Sequence, residues 1–394
     1  MLRGPKQEAD KSKTYSKNIN KQLKKEFSGI TPNILIGSWG YPFVNVGALS
    51  TENKIDLDNP KKYAKENTKI NEILKQRQSL INSKLVIPIK RLNEKFVEQT
   101  QEIAKTQKVL DTEVELKKAI TEKTTFHQMS MPHGPSAELK KLNITSTATI
   151  KKPIERITSD TDVKATEAIT ELYNKNIDEY QLTKLLSTGT LGQERKLVPT
   201  KWSITAIDDT IGKQIYESIL NYEEIDYKIF SKETLGNIFT IIILPGPWSF
   251  ELFEMTLPNT IHNNTNEIIL SHDYEYPQGR KKYVEETEGA YYASRLAIME
   301  YFKTKKRQGQ AIIFRTITEK YTAPLGVWVV REGVREALKT EQKQQIDQPN
   351  SRKETIIKLI QILKEQKINK PENIIQESQI LKERQLGIKN WIKL

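Results

Sequence analysis

Asn237-Ile238-Phe239-Thr240-Ile241-Ile242-Ile243-Leu244-Pro245-Gly246-Pro247 is the stretch on which the fold turns. Its eight leading residues are rich in isoleucine and other apolar side chains and read as a strand. Pro-Gly-Pro then ends any ladder. Upstream, residues 196–205 are again apolar and β-branched and read as a strand, 208–220 as a helix, and 227–230 as a short strand. Downstream of a polar stretch at 259–278, the pattern predicts a helix over 289–305 and a strand over 311–317. A Pro-Leu-Gly turn at 324–326 leads to a last core helix from Glu332. Strands and helices mix without a βαβ rhythm, so the expected class is α+β, a mixed sheet with several long helices.

Toward the N-terminus, Lys6, Lys11, Lys13, Lys17, Lys21, Lys24 and Lys25 make a basic arm that leads into a short helix before Gly29. Residues 33–37 read as a strand with its turn at Gly40-Tyr41-Pro42, and 61–80, 89–105 and 162–174 read as helices, the last capped by Asp160 or Asp162. Met131-Pro132-His133-Gly134-Pro135 is loop chemistry, which puts His133 at the surface. Trp39, Trp202, Trp248 and Trp328 have apolar neighbours and are expected in the core. Beyond Lys339 the composition turns to Gln, Lys and Glu. Ser351-Arg352-Lys353-Glu354 forms a capping box, and Pro371 starts a further helix. Residues 339–394 are thus expected to be a helical or flexible charged tail.

The chain has 394 residues, a net charge of +12 and no cysteine. The charge suits a polyanionic partner. Without cysteine there is no disulfide, thiolate metal site or thiol catalysis, and zinc is not expected. Residues 1–30 carry no apolar signal segment and no run is long enough to span a membrane, so a cytoplasmic protein with no membrane partner is expected.

Chemistry concentrates between Gly189 and Thr210. Gly189 and Gly192 with Arg195 and Lys196 offer a phosphate cradle, and Lys201 follows. Asp208 and Asp209 are candidate catalytic carboxylates and candidate Mg²⁺ ligands, with Asp273 and Glu275 as a further acidic pair. The alternative for Asp208 and Asp209 is a helix cap. Arg280, Lys281, Lys282 and Tyr283, with Tyr291, Tyr292 and Arg295, interleave cations and aromatics as a nucleic-acid surface does.

At the far end, Gln385, Ile388, Trp391 and Ile392 follow the order Gln-x-x-aliphatic-x-x-aromatic-hydrophobic. Ile388, Trp391 and Ile392 fall on one face of a helical turn, with Gln385 standing off as an anchor. The order resembles the PCNA-interacting peptide (PIP box) that docks on the DNA sliding clamp. The alternative is a short amphipathic helix end folded back on its own domain.

Several longer blocks resemble, in order, the Nre family of archaeal DNA repair proteins. They are Ile34-Leu35-Ile36-Gly37-Ser38-Trp39-Gly40-Tyr41-Pro42, Leu185-Leu186-Ser187-Thr188-Gly189, residues 197–211, 279–283 and 289–296, and Leu325-Gly326-Val327-Trp328-Val329-Val330-Arg331-Glu332. The resemblance divides the chain into an arm over 1–29, an N-terminal family region over 30–278, a C-terminal family region over 279–338 and a tail over 339–394. It implies a DNA repair role with PCNA and DNA as partners. It also implies an N-terminal cysteine cluster, which this sequence lacks. Three readings follow: a repair factor recruited to the clamp, an enzyme acting on a nucleotide or phosphodiester at 189–209, and a non-catalytic nucleic-acid-binding protein with a structural tail.

Overall fold

The computed structural model describes residues 25–53, 58–120, 125–127, 130–343 and 346–382, arranged as α+β. They form two compact units: residues 1–58 with 71–203, and 59–70 with 204–394. The peptide at 385–392 and the Lys-rich residues before Lys25 lie outside the described residues. No helix among the described residues is long and apolar enough to cross a membrane.

The first unit is built on a closed barrel of β1 (Glu26–Ile36), β2 (Phe43–Thr51), β3 (Ile81–Pro88), β4 (Leu110–Leu116) and a later strand, β7. Helices α1 (Pro60–Glu66), which belongs to the second unit, and α2 (Ile70–Gln78) lie between β2 and β3, and α3 (Lys95–Lys105) between β3 and β4. The short strands β5 (Thr125–His127) and β6 (Ser130–His133) precede β7 (Ser136–Ile144). Barrel strands show the period of two that one wet face demands: in β4, Leu110, Thr112, Val114 and Leu116 are buried while the acidic residues between them are not. Helices α4 (Lys152–Ser159), α5 (Ala165–Asn174) and α6 (Glu179–Ser187) complete the unit. Residues 26–28, expected in a helix before Gly29, are strand, because Phe27 points into the barrel and the segment pairs with β4.

Other expectations change for physical reasons. The helix read over 61–80 is two helices, and the one read over 89–105 is a turn followed by α3. Neither Asp160 nor Asp162 caps α5; Lys164 stands at its N-cap without a side-chain bond. His133 is buried, with Nδ1 2.7 Å from the Gly134 carbonyl, and burial lowers its pKa. Arg77, buried against Asp58 at 2.5 Å, donates to the Pro132 carbonyl at 2.8 Å and so holds that loop inside.

The boundary between the units falls within α7 (Thr200–Ile219). Its first six residues, 200–205, fall in the segment expected to be a strand. Ser203, Ile207, Ile211, Ile215 and Ile219 are all buried at intervals of four, a helical stripe that overrides the β-branched composition. The second unit then adds β8 (Glu223–Glu224), β9 (Lys228–Thr234), β10 (Asn237–Leu244), β11 (Ser249–Thr256), β12 (Ile269–Glu275), α8 (Glu288–Lys305), β13 (Arg307–Gln308), β14 (Gln310–Ile317), α9 (Trp328–Leu338), α10 (Arg352–Glu365) and α11 (Pro371–Glu377). Its five-stranded sheet runs β12-β11-β14-β10-β9, antiparallel except for β11 with β14.

Helices cover both faces of this sheet, which is why 237–244 reads as an unbroken apolar run. On one face Phe239 lies against α9 so closely that a Cβ on Gly333 would come within 2.1 Å of its ring, and Trp248 and Phe250 meet Phe302 and Tyr291 of α8. On the other, Ile242, Leu244, Phe253, Met255, Ile312 and Phe314 form one core with Leu359, Leu363, Ile374, Ile375, Ile380 and Leu381. Residues 352–382 are therefore one of the unit's three layers, not an appended tail. Glu251, fully buried in β11, fixes their end: its carboxylate accepts from the Ser378 hydroxyl and the Gln379 and Ile380 amides, and lies 2.9 Å from His272 Nε2.

A polar cluster at the other end of the sheet gives the unit a pH dependence. Arg315 donates to Asn237 at 2.9 Å and pairs with Glu254. Beside it, burial and then the Arg315 charge push His262 down from 6.5 to about 4. The unfolded chain therefore takes up this proton first, and stability falls as pH drops from 6.5 to about 4. The loss should approach about 3 kcal/mol. Urea unfolding across that range should show it, and His262→Asn should remove that part of the slope; an equal slope in the variant refutes the assignment.

Candidate functional site

A cleft of about 310 Å³ opens in the second unit. One wall is α7, which presents Asp209, Lys213 and Tyr216 along one helical face. The second is the loop after β12, carrying Gly279, Arg280, Lys281, Lys282 and Tyr283. The third is the start of α8, with Tyr291, Tyr292 and Arg295, and Glu275 closes the floor from the end of β12.

The floor is a buried ion pair. Glu275 accepts from Arg295 Nε at 2.6 Å and from Trp248 Nε1 at 2.8 Å. Arg295 Nη1 is buried and makes no hydrogen bond among the described residues. It fits because position 212 is glycine: a Cβ there would stand 2.6 Å from that nitrogen. The loop wall is held from below. Asp273 is buried and accepts from the amides of Glu285, Glu286 and Thr287 at 3.3, 3.0 and 2.8 Å and from the Thr287 hydroxyl at 2.9 Å. It also stands 3.5 Å from Arg280, which donates to the Tyr274 carbonyl at 2.7 Å and lies over the Tyr291 ring at 5.8 Å. Lys281, Lys282 and Tyr283 are exposed.

Four phenols line the walls. Tyr283 and Tyr292 lie 5.2 Å apart at 34°, and Tyr291 and Tyr292 5.4 Å apart at 77°. Burial raises all four tyrosine pKa values, and at Tyr291 the Glu275 charge adds to it. They are neutral at physiological pH, apolar in body and polar at the tip. Five cations thus face two carboxylates, one of which, Asp209, is paired with Lys213 at 2.6 Å.

The expected site residues separate. Asp209, Arg280, Lys281 and Arg295 meet in this cleft. Asp208, the next residue of α7, turns the other way, is buried, and binds Arg331 Nη1 with both oxygens at 2.5 and 2.6 Å. Both aspartates lie well inside the helix, so neither caps it. Their donor set does not fit a divalent ion, since one carboxylate is spent on a guanidinium and the other on an ammonium. Among the described residues no three His, Cys, Asp or Glu side chains gather as a metal requires. Arg195 and Lys196 belong to the first unit. Arg195 donates to the carbonyls of Gly192, Thr158 and Asp160 at 3.1, 2.8 and 2.7 Å, which ties it to the end of α4. Lys196 is exposed and Lys201 half-buried in the first turn of α7. Lys213 and Tyr216 were not singled out, although both lie in the stretch read as a helix over 208–220, where their spacing of four and seven from Asp209 puts all three on one face.

Comparison with known proteins places these features in a family. A model described as archaeal Nre, N-terminal, matches residues 9–263, and one described as archaeal Nre, C-terminal, matches 275–390. The chain is 38% identical over 309 residues to the DNA repair protein NreB of Archaeoglobus fulgidus, covering 77% of this chain and 78% of that one. It is 32% identical over 329 residues to the DNA repair protein NreA of Haloferax volcanii, covering 80% and 78%. It is 35% identical over 317 residues to the DNA repair protein NreA of Archaeoglobus fulgidus, covering 79% of each. The chain belongs to the archaeal Nre family.

Proposed function

We propose that this protein is a DNA repair factor that binds DNA in the α7–α8 cleft and is brought to the PCNA sliding clamp by residues 385–392. The observation that carries the DNA reading is the cleft itself, where five cations outnumber two carboxylates around four neutral phenols. Cations meet phosphates, and tyrosine faces stack on bases or sugars. The naming of the relatives as DNA repair proteins supports the pathway. The reading needs no bound metal and commits to recognition, not to a bond-breaking step.

Arg280 and Lys281 should each supply a phosphate contact. Arg280→Ala with Lys281→Ala should weaken duplex binding uniformly across sequences and reduce the slope of log K against log salt by roughly 2. Fluorescence anisotropy from low to physiological salt measures both. An unchanged slope with unchanged affinity removes the cleft from the DNA-binding surface.

A further inference from the structure

The first unit carries an aromatic surface that the cleft does not use. Its barrel closes in the order β1-β2-β3-β7-β4, with β3 parallel to β7 and α3 inserted between β3 and β4. That is the strand order of the oligonucleotide-binding barrel, in which the face of the second and third strands and the loop between the first two take the ligand. Topology alone does not assign a function, but this loop is populated. Trp39 is 86% exposed, Phe43 56%, Tyr41 44%, Trp202 44% and, on β3, Val86 64%. Three of the four aromatics come from residues 39–43, and Trp202 meets Tyr41 at 5.2 Å. Trp39 and Trp202 are thus outside the core in which their neighbours would place them.

The surface is fixed in place. Gly37 N donates to Asn45 O at 2.8 Å, Phe43 N to Gly40 O at 2.9 Å, and Ile89 N to Pro42 O at 3.0 Å. Ile36 N donates to the Thr200 hydroxyl at 2.9 Å, which holds the turn bearing Trp202 against β1. A preformed cluster of exposed rings has no folding rationale, since burial of each would stabilise the unit. Its charge selects the ligand. Residues 37–51 and 81–91, which include β2, β3 and the loop, contain no Asp or Glu. They contain Lys84, Lys90 and Arg91, of which Lys90 and Arg91 are exposed directly after β3, beside the Pro42 turn.

We infer that this face binds single-stranded nucleic acid, with bases stacked on Trp39, Tyr41, Phe43 and Trp202 and phosphates met by Lys84, Lys90 and Arg91. The inference takes its ligand class from the proposed DNA role but uses none of the cleft residues.

Anisotropy with labelled oligo-dT, oligo-rU and duplex DNA tests it on the full chain. Stacking contributes about 1–3 kcal/mol per base, so Trp39→Ala and Trp202→Ala should each weaken oligo-dT binding about 5- to 150-fold. Trp39→Phe should retain most of the affinity, and duplex binding should be unaffected. Intrinsic tryptophan emission should quench on oligo-dT addition, and less so in Trp39→Ala. Comparable rU and dT affinities mark a general single-strand surface, and preference for dT marks a DNA one. Unchanged dT affinity in both alanine variants overturns the inference, as does equal loss of duplex and single-strand binding. If Arg280→Ala with Lys281→Ala leaves all binding intact while Trp39→Ala abolishes the single-strand component, the cleft reading falls and this one stands.

Discussion

Asp208→Ala should lower the stability of the second unit by about 3–5 kcal/mol, because it takes from the buried Arg331 guanidinium the carboxylate that accepts from Nη1 with both oxygens, with the Glu332 carboxylate 4.0 Å from Nε. For a unit of this size each kcal/mol moves Tm by roughly 2–4 °C, so a drop of roughly 6–20 °C is expected. Arg331→Met should cost a similar amount, since it removes the guanidinium from which both oxygens of the buried Asp208 carboxylate accept. Asp208→Leu with Arg331→Met should cost much less than the two single losses together, because an apolar pair removes both desolvated charges. Calorimetric melting of the four proteins measures this. A variant of Asp208 that melts normally but loses DNA affinity would return Asp208 to the functional site.

Asp208 also shows where sequence reasoning reaches its limit. The pair Asp208-Asp209 looks alike on paper, yet consecutive helical positions point about 100° apart. One faces Arg331, more than a hundred residues away in the chain, and the other faces the cleft. No local pattern contains that partner. What was legible was whatever local sequence dictates. The strand 237–244 is a continuous apolar run because its sheet is covered twice, and the 279–283 and 291–295 walls of the cleft are short clusters of cations and tyrosines. The start of α7 was misread as strand because Ile204 and Thr205 have β propensity, while the burial period of four that decides the matter extends to Ile219. The polar composition after Lys339 likewise concealed a core layer: Leu359, Leu363, Ile374, Ile375, Ile380 and Leu381 are few, but all are buried on one face of the sheet. The exposed Trp39 goes the other way, for apolar neighbours in sequence do not reveal that a turn projects the ring into solvent.

Trp391→Ala should weaken binding to the sliding clamp by about 30- to 1,000-fold, the loss of about 2–4 kcal/mol that a central aromatic anchor carries. In the proposed plug, Trp391 is the largest of three apolar side chains on one helical turn, with Ile388 and Ile392 beside it and Gln385 as the polar anchor. The fold of the second unit should not respond. Its last layer is secured before the peptide begins: Ile380 and Leu381 are buried, and Glu251 holds the chain at Ser378, Gln379 and Ile380. Only two residues, Glu383 and Arg384, lie between Lys382 and Gln385, a span of about 10 Å of fully extended chain, so a docked peptide keeps the second unit beside the clamp. Removing the chain after Lys382 should therefore match Trp391→Ala in both measurements, with clamp affinity lost and melting temperature kept. Removing it before Ser378 should lower both, because Ile380, Leu381 and the ligands of Glu251 go with it. Calorimetric titration with the clamp, paired with thermal melting, separates the cases. Unchanged clamp affinity in Trp391→Ala, or a lower melting temperature in that variant, would make these residues part of the fold and not the plug.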